Sequence, residues 1–278
     1  MKPIKINLLI TIVIMFLLSS CKEKALHEKL PSSQNTQTFK NDTISVKPSD
    51  LKINKLKTGK LQYIMYIENS KDGLRNFIML LDIDVKKKKH NNKNAIEVDF
   101  KWLKDTIDMQ YNSVLSTKNL SMLQHKYYRN SSKFSVAFDF QNRKVEYHGN
   151  PNEASKLRVE KNFSKSFEQY SLNWNYDLLF LPLLPFKENA VFKINFYDPP
   201  YEPQDVYYSV IGSEILTDYS GKRVNCWILE TEIDIKYGGG FQRFWISKKN
   251  RNLIKEEDFY EGNKMHRYKI KLGFTKQE

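Results

Sequence analysis

The segment RVNCWILETEIDIKYGGGFQRFWIS, residues 223–247, decides the fold of this chain. Two runs rich in β-branched and aromatic side chains, 223–235 and 241–247, flank the three glycines of 238–240. Side chains of this kind favour the pleated strand, and glycine adopts the positive φ angles that a tight reversal needs. The segment therefore predicts two long antiparallel strands joined by a turn.

The same composition recurs on both sides of this segment. Further strand candidates are residues 61–67, 77–85, 95–100, 134–140, 144–147, 191–197, 206–216, 253–260 and 266–274. A helical candidate at 163–186 repeats aromatic side chains at spacings of four, three and four, which is one face of a helix. These side chains are Phe163, Phe167, Tyr170 and Trp174. The pattern predicts a mainly β protein, a meander of long antiparallel strands with one short helical segment.

Residues 1–20 have the pattern of a lipoprotein signal peptide. A positive start, with Lys2 and Lys5, precedes an almost unbroken apolar run at 8–18 that is too short to span a bilayer. The run ends in Leu18-Ser19-Ser20-Cys21, which resembles the lipobox at which bacterial lipoproteins are cleaved and acylated. We therefore expect Cys21 to carry the lipid that anchors the mature protein in a membrane.

The residues after Cys21 bear on the location and organisation of the mature chain. Inner-membrane lipoproteins often carry Asp directly after the acylated cysteine, so Lys22 favours the outer membrane, on its periplasmic face or at the cell surface. Residues 21–50 are rich in polar side chains and are expected to form a flexible tether. Residues 51–278 form the predicted single antiparallel β domain, within which strand blocks at 51–150 and 163–275 allow two halves.

The charge of the chain is strongly positive without pointing to nucleic acid. Its 45 Lys and Arg residues against 32 Asp and Glu residues give +13, and loss of the signal peptide leaves +11. Lysine greatly outnumbers arginine, whereas bidentate contacts to bases and phosphates favour arginine. We interpret the excess as a solvated lysine surface and expect no nucleic-acid partner, and the sequence identifies no protein partner.

The common catalytic and metal-binding motifs are missing from the sequence. It contains neither H-E-x-x-H nor G-x-S-x-G, and it predicts no metal or other cofactor. Asp198, Glu202 and Asp205 cluster around prolines, which leaves a hydrolase built on carboxylates as a third and less favoured hypothesis. Cys226 alternates with apolar residues along a predicted strand and is expected to be a buried structural thiol.

The C-terminal half of the chain resembles a known family. The residues that carry the resemblance are Leu181-Pro182-Leu183-Leu184-Pro185-Phe186, Ile194-Asn195-Phe196-Tyr197-Asp198-Pro199, Val210-Ile211-Gly212-Ser213-Glu214, Cys226-Trp227-Ile228-Leu229, Phe244-Trp245-Ile246-Ser247-Lys248-Lys249 and Leu253-Ile254-Lys255-Glu256-Glu257. They are similar to a family of uncharacterised exported bacterial proteins. That family is a domain of unknown function, related in architecture to the lipoprotein-carrier and lipoprotein-receptor half-barrels of the LolA/LolB type. The resemblance is best over 172–274 and weaker at 114–120.

The resemblance implies both a fold and a kind of ligand. It implies a curved antiparallel half-barrel sheet whose concave apolar face is covered by a short helical segment. Relatives of that shape hold acyl chains, so the leading hypothesis is a non-enzymatic outer-membrane lipoprotein that binds a hydrophobic or amphipathic ligand, such as a lipid, in its half-barrel cavity. Trp227, Phe244 and Trp245 match family positions and are either ligand contacts or packing residues. The alternative is an envelope scaffold or assembly protein that binds another protein through its sheet edge or basic face.

Overall fold

A computed structural model describes residues 43–131, 134–149, 151–199 and 201–276 of the chain. The predicted signal peptide, Cys21 and the tether as far as residue 42 lie outside the described residues. Residues 43–50 correct the predicted tether, because Thr43–Ser45 forms a strand that pairs with Val191–Lys193. The folded domain therefore includes residues 43–50, which were predicted to belong to the tether because of their polar composition.

The described chain is built mainly from strands. They are β1 (Thr43–Ser45), β2 (Gly59–Asn69), β3 (Arg75–His90), β4 (Lys93–Leu103), β5 (Ile107–Ser116), β6 (Met122–Arg129), β7 (Phe134–Asp139), β8 (Lys144–His148), β9 (Leu172–Asn173), β10 (Val191–Tyr197), β11 (Gln204–Thr217), β12 (Arg223–Glu232), β13 (Gly240–Ser247), β14 (Leu253–Tyr260) and β15 (Met265–Lys276). The helices are α1 (Glu153–Lys165) and α2 (Asp177–Phe180), with short 3-10 turns at 48–50, 53–55, 174–176, 181–183 and 235–237. Among the described residues, no helix is both long and apolar enough to cross a membrane.

All of these strands belong to one sheet. Its order is β1-β10-β11-β12-β13-β14-β15-β2-β3-β4-β5-β6-β7-β8, with β9 beside β10. Neighbours are antiparallel except that β1 and β9 run parallel to β10. The strand blocks before and after the helical segment are joined where β15 pairs along its length with β2.

The hairpin predicted at 223–247 is present as β12 and β13. Leu229 lies opposite Phe244, and Cys226 lies opposite Ser247. The first strand ends at Glu232, three residues earlier than predicted, because residues 235–237 form a 3-10 turn. At Gly240, with φ of 117°, a Cβ atom would lie 1.9 Å from the carbonyl oxygen of Phe259, so this position of the turn requires glycine.

The helical segment lies across the concave face of the sheet. On α1, the Phe163 ring centroid lies 5.3 Å from Phe138 of β7 and 5.0 Å from Phe140, and Phe140 in turn lies 6.2 Å from Tyr197 of β10. Since β7 and β10 lie near opposite ends of the strand order, these contacts require a strongly curved sheet. The predicted curved half-barrel with a helical cover is therefore confirmed.

The helix itself lies earlier in the chain than the aromatic spacing predicted. It begins after Asn152, whose side chain accepts a hydrogen bond from the Ser155 backbone N–H at 2.8 Å, and it ends at Lys165. Its N-terminal part carried little apolar signal because, along the helix, only Val159, Asn162 and Phe163 are buried.

The concave face is filled by the chain's own side chains. The main apolar core joins the inner faces of the strands to residues 172–184, where a run of buried side chains occupies the concave side of the sheet. These side chains are Leu172, Tyr176, Leu178, Leu179, Phe180, Leu181, Leu183 and Leu184.

Candidate functional site

Two of the three candidate ligand contacts lie on opposite faces of β13. Phe244 points into the main core, is 0% exposed and packs its ring 5.9 Å from that of Tyr208. Trp245 points to the other face, where its indole Nε1 donates a hydrogen bond of 2.6 Å to Glu214 Oε2. Successive strand residues point to opposite faces, so Phe244 and Trp245 do not line one site. Both side chains pack in this structure, and a ligand role for either stays a prediction.

Trp227 lies in the middle of β12, opposite Ser213, and is only half-buried. Its ring stacks on Phe186 with centroids 6.2 Å apart, and the Lys248 amino group lies 3.8 Å from the Trp227 centroid. The Arg251 guanidinium lies 5.0 Å from the Phe186 centroid. A lysine and an arginine therefore cover two stacked aromatic rings at the edge of the core.

Beside this aromatic pair, a cavity of about 640 Å³ opens at the end of the sheet where β11 turns into β12 and β13 into β14. We call it the basic cavity. It lies between the β11–β12 turn, the β13–β14 turn and β15. Its lining consists of Asp218, Tyr219, Lys222, Arg223, Val224, Asn225, Ser247, Lys248, Lys249, Asn250, Asn252, Ile254 and Lys271. Lys248 thus lines the basic cavity and also contacts the aromatic pair.

The lining of the basic cavity is strongly positive. Five cationic side chains and one carboxylate give it a formal charge of +4. The carboxylate, Asp218, is engaged within its own turn, where Oδ1 accepts hydrogen bonds from Ser220 N, Ser220 Oγ and Lys222 N at 2.7–3.0 Å. Within the described part of the chain, Lys222, Arg223, Lys248 and Lys249 form no salt bridge. In this part of the chain, no salt bridge neutralises these four cations, although the Lys248 amino group also lies over the Trp227 ring.

Lys271 is the buried member of this group. It lies on β15 opposite Tyr63 and is 7% exposed. Burial and, to a lesser extent, the neighbouring Lys57 lower the pKa of Lys271, Asp218 opposes both, and the result is a pKa of about 8. Lys57 donates a hydrogen bond of 2.7 Å to Asn252 Oδ1, which places a further cation against the cavity wall. An anion bound in the cavity would stabilise the charged form of Lys271.

The basic cavity also has an apolar side. Val224 and Ile254 line it and belong to a second apolar cluster, separate from the main core, around Cys226 and Trp245. Leu216 and Ile228 extend this cluster and are only partly buried. Cys226 is buried as predicted, and burial raises the pKa of its thiol to about 11, so at neutral pH it is an unreactive SH group. The site therefore presents cations and an apolar surface side by side.

The predicted carboxylate cluster of Asp198, Glu202 and Asp205 does not form one site. Asp198 accepts a hydrogen bond of 2.7 Å from Asn175 Nδ2, and burial raises its pKa to about 6. Glu202 forms a salt bridge with Lys165, and Asp205 forms one of 2.7 Å with Lys193. Each carboxylate therefore has a separate partner.

A buried polar cluster connects the helical segment to the sheet, and no sequence motif predicted it. Ser113 Oγ lies 2.7 Å from His125 Nδ1, and Tyr176 donates a hydrogen bond of 3.0 Å to Ser113 Oγ. Burial lowers the pKa of His125 to about 3, so the imidazole is neutral. All three side chains are fully buried, which fits a structural role.

A second buried cluster is ionic and lies between α2 and the strands β14 and β15. Lys269 Nζ lies 2.5 Å from Glu256 Oε1, and Arg267 Nε donates a 2.5 Å hydrogen bond to Asp258 Oδ2. Asp177 at the start of α2 adds a third buried carboxylate. Burial raises the pKa of Glu256 to about 8, whereas the charge of Lys269 lowers it. Among the described residues, no group of three His, Cys, Asp or Glu side chains is arranged to hold a metal ion.

The fold and the site together define a half-barrel β protein whose concave face is filled and whose basic cavity lies at one end of the sheet. The chain belongs to the DUF3108 family, proteins of unknown function, which matches residues 62–267. The predicted membership in an uncharacterised family is thus confirmed. No curated protein matches the chain.

Several solved structures are similar to the chain at low identity and low TM-score. A β-barrel-like DUF1849 protein from Brucella abortus has 7% identity and a TM-score of 0.40, over 80% of this chain and 100% of its own. The hypothetical lipoprotein YmcC from Escherichia coli has 9% identity and a TM-score of 0.30, over 79% and 89%. A putative outer membrane lipoprotein-sorting protein domain from Vibrio parahaemolyticus has 10% identity and a TM-score of 0.24, over 79% and 86%. These likenesses are too distant to carry an argument about function.

Proposed function

We propose that the protein is a lipoprotein of the bacterial cell envelope, anchored in the outer membrane through acylated Cys21, that binds an amphipathic ligand without changing it chemically. The lipobox at 18–21 supports the anchor. The observation that carries the binding proposal is the basic cavity, because cationic and apolar side chains meet in its wall.

Because the concave face is occupied by buried side chains, we expect the ligand to bind at the end of the half-barrel. Residues 172–184 occupy the space in which an acyl chain was expected to lie. The second apolar cluster beside the cavity offers an alternative surface, with Leu216, Val224 and Ile228 partly buried. A chain of about five methylenes laid on that surface would contribute about 4 kcal/mol, before the cost of ordering it.

The polar group of the ligand is expected to be anionic. Lys222, Lys248 and Lys249 reach the same volume from two turns of the sheet. The phosphate of a zwitterion could accept the same hydrogen bonds, but the positive lining would repel its ammonium group, so an anion gains more here than a zwitterion does. Affinity for a short-chain anionic amphiphile is expected at a Kd of about 10–500 µM.

Calorimetry on the chain from residue 21 with Cys21→Ser, which removes the acylation site, tests the proposal. Monomeric dihexanoyl phosphatidylglycerol is the anionic probe, and dihexanoyl phosphatidylcholine, with the same chains and no net charge, is its control. We expect saturable binding of the first at a Kd at least about tenfold lower than that of the second. Equal affinity for the two lipids, or no binding of either, would contradict the proposal.

Two double variants test whether the ligand binds in the basic cavity. Lys222→Gln with Lys249→Gln removes two exposed cations from the cavity wall. Lys71→Gln with Lys264→Gln removes two exposed lysines from the opposite end of the sheet, where β2–β3 and β14–β15 turn. The first pair is expected to weaken binding about tenfold and the second to leave it unchanged. The same loss in both pairs would indicate a diffuse charge effect.

An unpaired strand edge supports protein binding as a second candidate function. β10 pairs with β11 only as far as Ser209, whereas β12 pairs with it to Thr217. In the part of the chain that the structure describes, no strand covers the other edge of 212–217, and Ile211 and Ile215 are 47% and 53% exposed. Such an edge can accept a strand from another protein. Ile215→Lys would abolish binding of this kind and leave lipid binding intact.

A further inference from the structure

The cations of the basic cavity come from three separate segments of the chain. Lys222 and Arg223 belong to the β11–β12 turn and the start of β12, Lys248 and Lys249 follow β13, and Lys271 lies on β15. The order β12-β13-β14-β15 brings these segments to one volume. Positive groups that converge from different directions suit a compact anion with several oxygens better than a flat, singly charged one.

The uncharged polar groups of the lining also favour an anion. Asn252 Oδ1 accepts the hydrogen bond from Lys57, and Asn250 Oδ1 accepts one of 3.1 Å from Asn252 N. With their oxygens engaged, these two side chains have mainly N–H donors left to offer. The lining therefore combines a formal charge of +4 with additional donors, and its carboxylate, Asp218, is engaged within its own turn.

The apolar side of the cavity restricts the position of the anionic group within the ligand. Val224 and Ile254 face the same volume as the cations. A ligand that fills both parts must carry its charge at one end and apolar atoms directly behind it. This arrangement favours a terminal anionic group over one in the middle of a polar molecule.

We infer that the basic cavity binds a phosphomonoester, a terminal phosphate with two ionisable oxygens, and that this is the polar group of the amphipathic ligand. The inference rests on the proposed function and adds the class of head group. A phosphomonoester carries about −1.5 to −2 charges at neutral pH and three acceptor oxygens, whereas a phosphodiester or carboxylate carries a single charge. The excess of positive charge in the lining matches the dianion.

Four probes of graded chemistry test the inference on the Cys21→Ser chain. They are dihexanoyl phosphatidic acid, dihexanoyl phosphatidylglycerol, inorganic phosphate and hexanoate, each titrated by calorimetry at constant ionic strength. Phosphatidic acid is expected to bind at least about tenfold more tightly than phosphatidylglycerol, which has the same chains and one charge fewer. Inorganic phosphate is expected to bind measurably but more weakly than phosphatidic acid, since it lacks the apolar part.

The outcomes separate the two proposals. Equal affinity for phosphatidic acid and phosphatidylglycerol would overturn the phosphomonoester and leave the proposed function standing. Inorganic phosphate binding as tightly as phosphatidic acid would support a phosphate site and refute the apolar contribution. Binding of none of the four probes, by a protein whose circular dichroism shows a folded β domain, would overturn both.

The pH dependence gives a readout that surface attraction would not reproduce. Lys271 faces Lys57 and Asp218, and shares the cavity with Lys222, Arg223, Lys248 and Lys249. Affinity for the phosphomonoester should rise as its second proton is lost near about pH 6. It should fall again above about pH 8, as Lys271 loses its own proton. Phosphatidylglycerol should show only the fall, and a flat profile for phosphatidic acid from pH 5 to 9 would contradict the inference.

A variant at the buried lysine completes the test. Lys271→Gln is expected to weaken phosphatidic acid binding about tenfold and to flatten the decline at high pH, while Lys71→Gln with Lys264→Gln changes neither. If Lys271→Gln fails to fold, ³¹P NMR of the wild-type complex provides the same answer. The bound phosphate should then titrate at lower pH than the free one, and an unchanged titration would refute contact with the cations.

Discussion

Replacing Lys269 by methionine should destabilise the domain far more than removing the negative charge that Lys269 contacts. Lys269 Nζ lies 2.5 Å from Glu256 Oε1, and both side chains are buried. Lys269→Met leaves the carboxylates of Glu256 and Asp177 close together without their shared cation. Above about pH 8, where Glu256 is ionised, breaking a buried ion pair in this way costs about 3–5 kcal/mol. For a domain of this size, that lowers the Tm by roughly 6–20 °C.

Glu256→Gln should cost much less, at most about 1–2 kcal/mol near neutral pH, because glutamine resembles the protonated carboxyl that burial favours. The pH dependence has a definite sign. Since the pKa of Glu256 is raised from 4.5 to about 8 on folding, its contribution to stability is full below pH 4.5 and is lost as the pH rises through 8. The deficit of Lys269→Met should therefore be smaller at pH 5 than at pH 8.

Urea denaturation followed by tryptophan fluorescence measures these differences, and the matched control is Lys101→Met. Lys101 forms a 2.8 Å salt bridge with Asp99, but the two side chains are 31% and 22% exposed, so this substitution should cost less than about 1 kcal/mol. A cost of Lys269→Met no greater than that of Lys101→Met would contradict a buried ionic cluster. A loss of stability in Glu256→Gln as large as that in Lys269→Met would contradict a raised pKa of Glu256.

Three further outcomes are expected. Cys21→Ala should abolish metabolic labelling by a radioactive fatty acid, and persistent labelling would show that another residue is acylated. A chain that starts at Thr43 should have a Tm within a few degrees of that of a chain that starts at Lys22. A chain that starts at Lys52 should have a lower Tm, because it lacks β1 and the buried Leu51. Equal Tm values for all three chains would refute a structural role for residues 43–51. The His125 ring should remain neutral in NMR spectra down to about pH 4, and because its pKa falls from 6.5 to about 3 on folding, its contribution to stability declines as the pH drops below 6.5. A His125 titration near pH 6 would contradict that burial.

Most of the described strands were predictable from their composition, but β5 and β6 had no counterpart among the predicted strand candidates. The segment 223–247 gave its hairpin because the glycines and the aromatic runs each indicate the same structure. β1 was missed because Thr43–Ser45 is short and lies among polar residues, and its pairing with β10 is a long-range contact. The start of α1 was missed because its exposed face dominates the local composition.

The candidate site was less accessible to sequence reasoning, for a physical reason. Lys222, Lys248 and Lys271 are widely separated along the chain, and only the strand order brings them around one cavity. The charged side chains of Glu256 and Lys269 are buried, although they occupy alternating positions along their strands as solvent-facing residues would. From composition alone, both would be expected to face solvent. Trp227 was identified from the family resemblance, and the structure puts it beside the cavity through its contact with Lys248.

The pairing of the last strand with the first long one has a consequence for how the molecule folds. Tyr66 and Tyr268 are cross-strand partners although about 200 residues separate them in the chain. Such a high contact order makes folding slow, because the loop must close before its contacts can stabilise anything. Until the final strand is available, one edge of β2 is left without its partner. A nascent or C-terminally truncated chain therefore exposes a long unpaired strand edge that can pair with other chains. Such a chain would need either rapid synthesis of β15 or a chaperone to avoid aggregation.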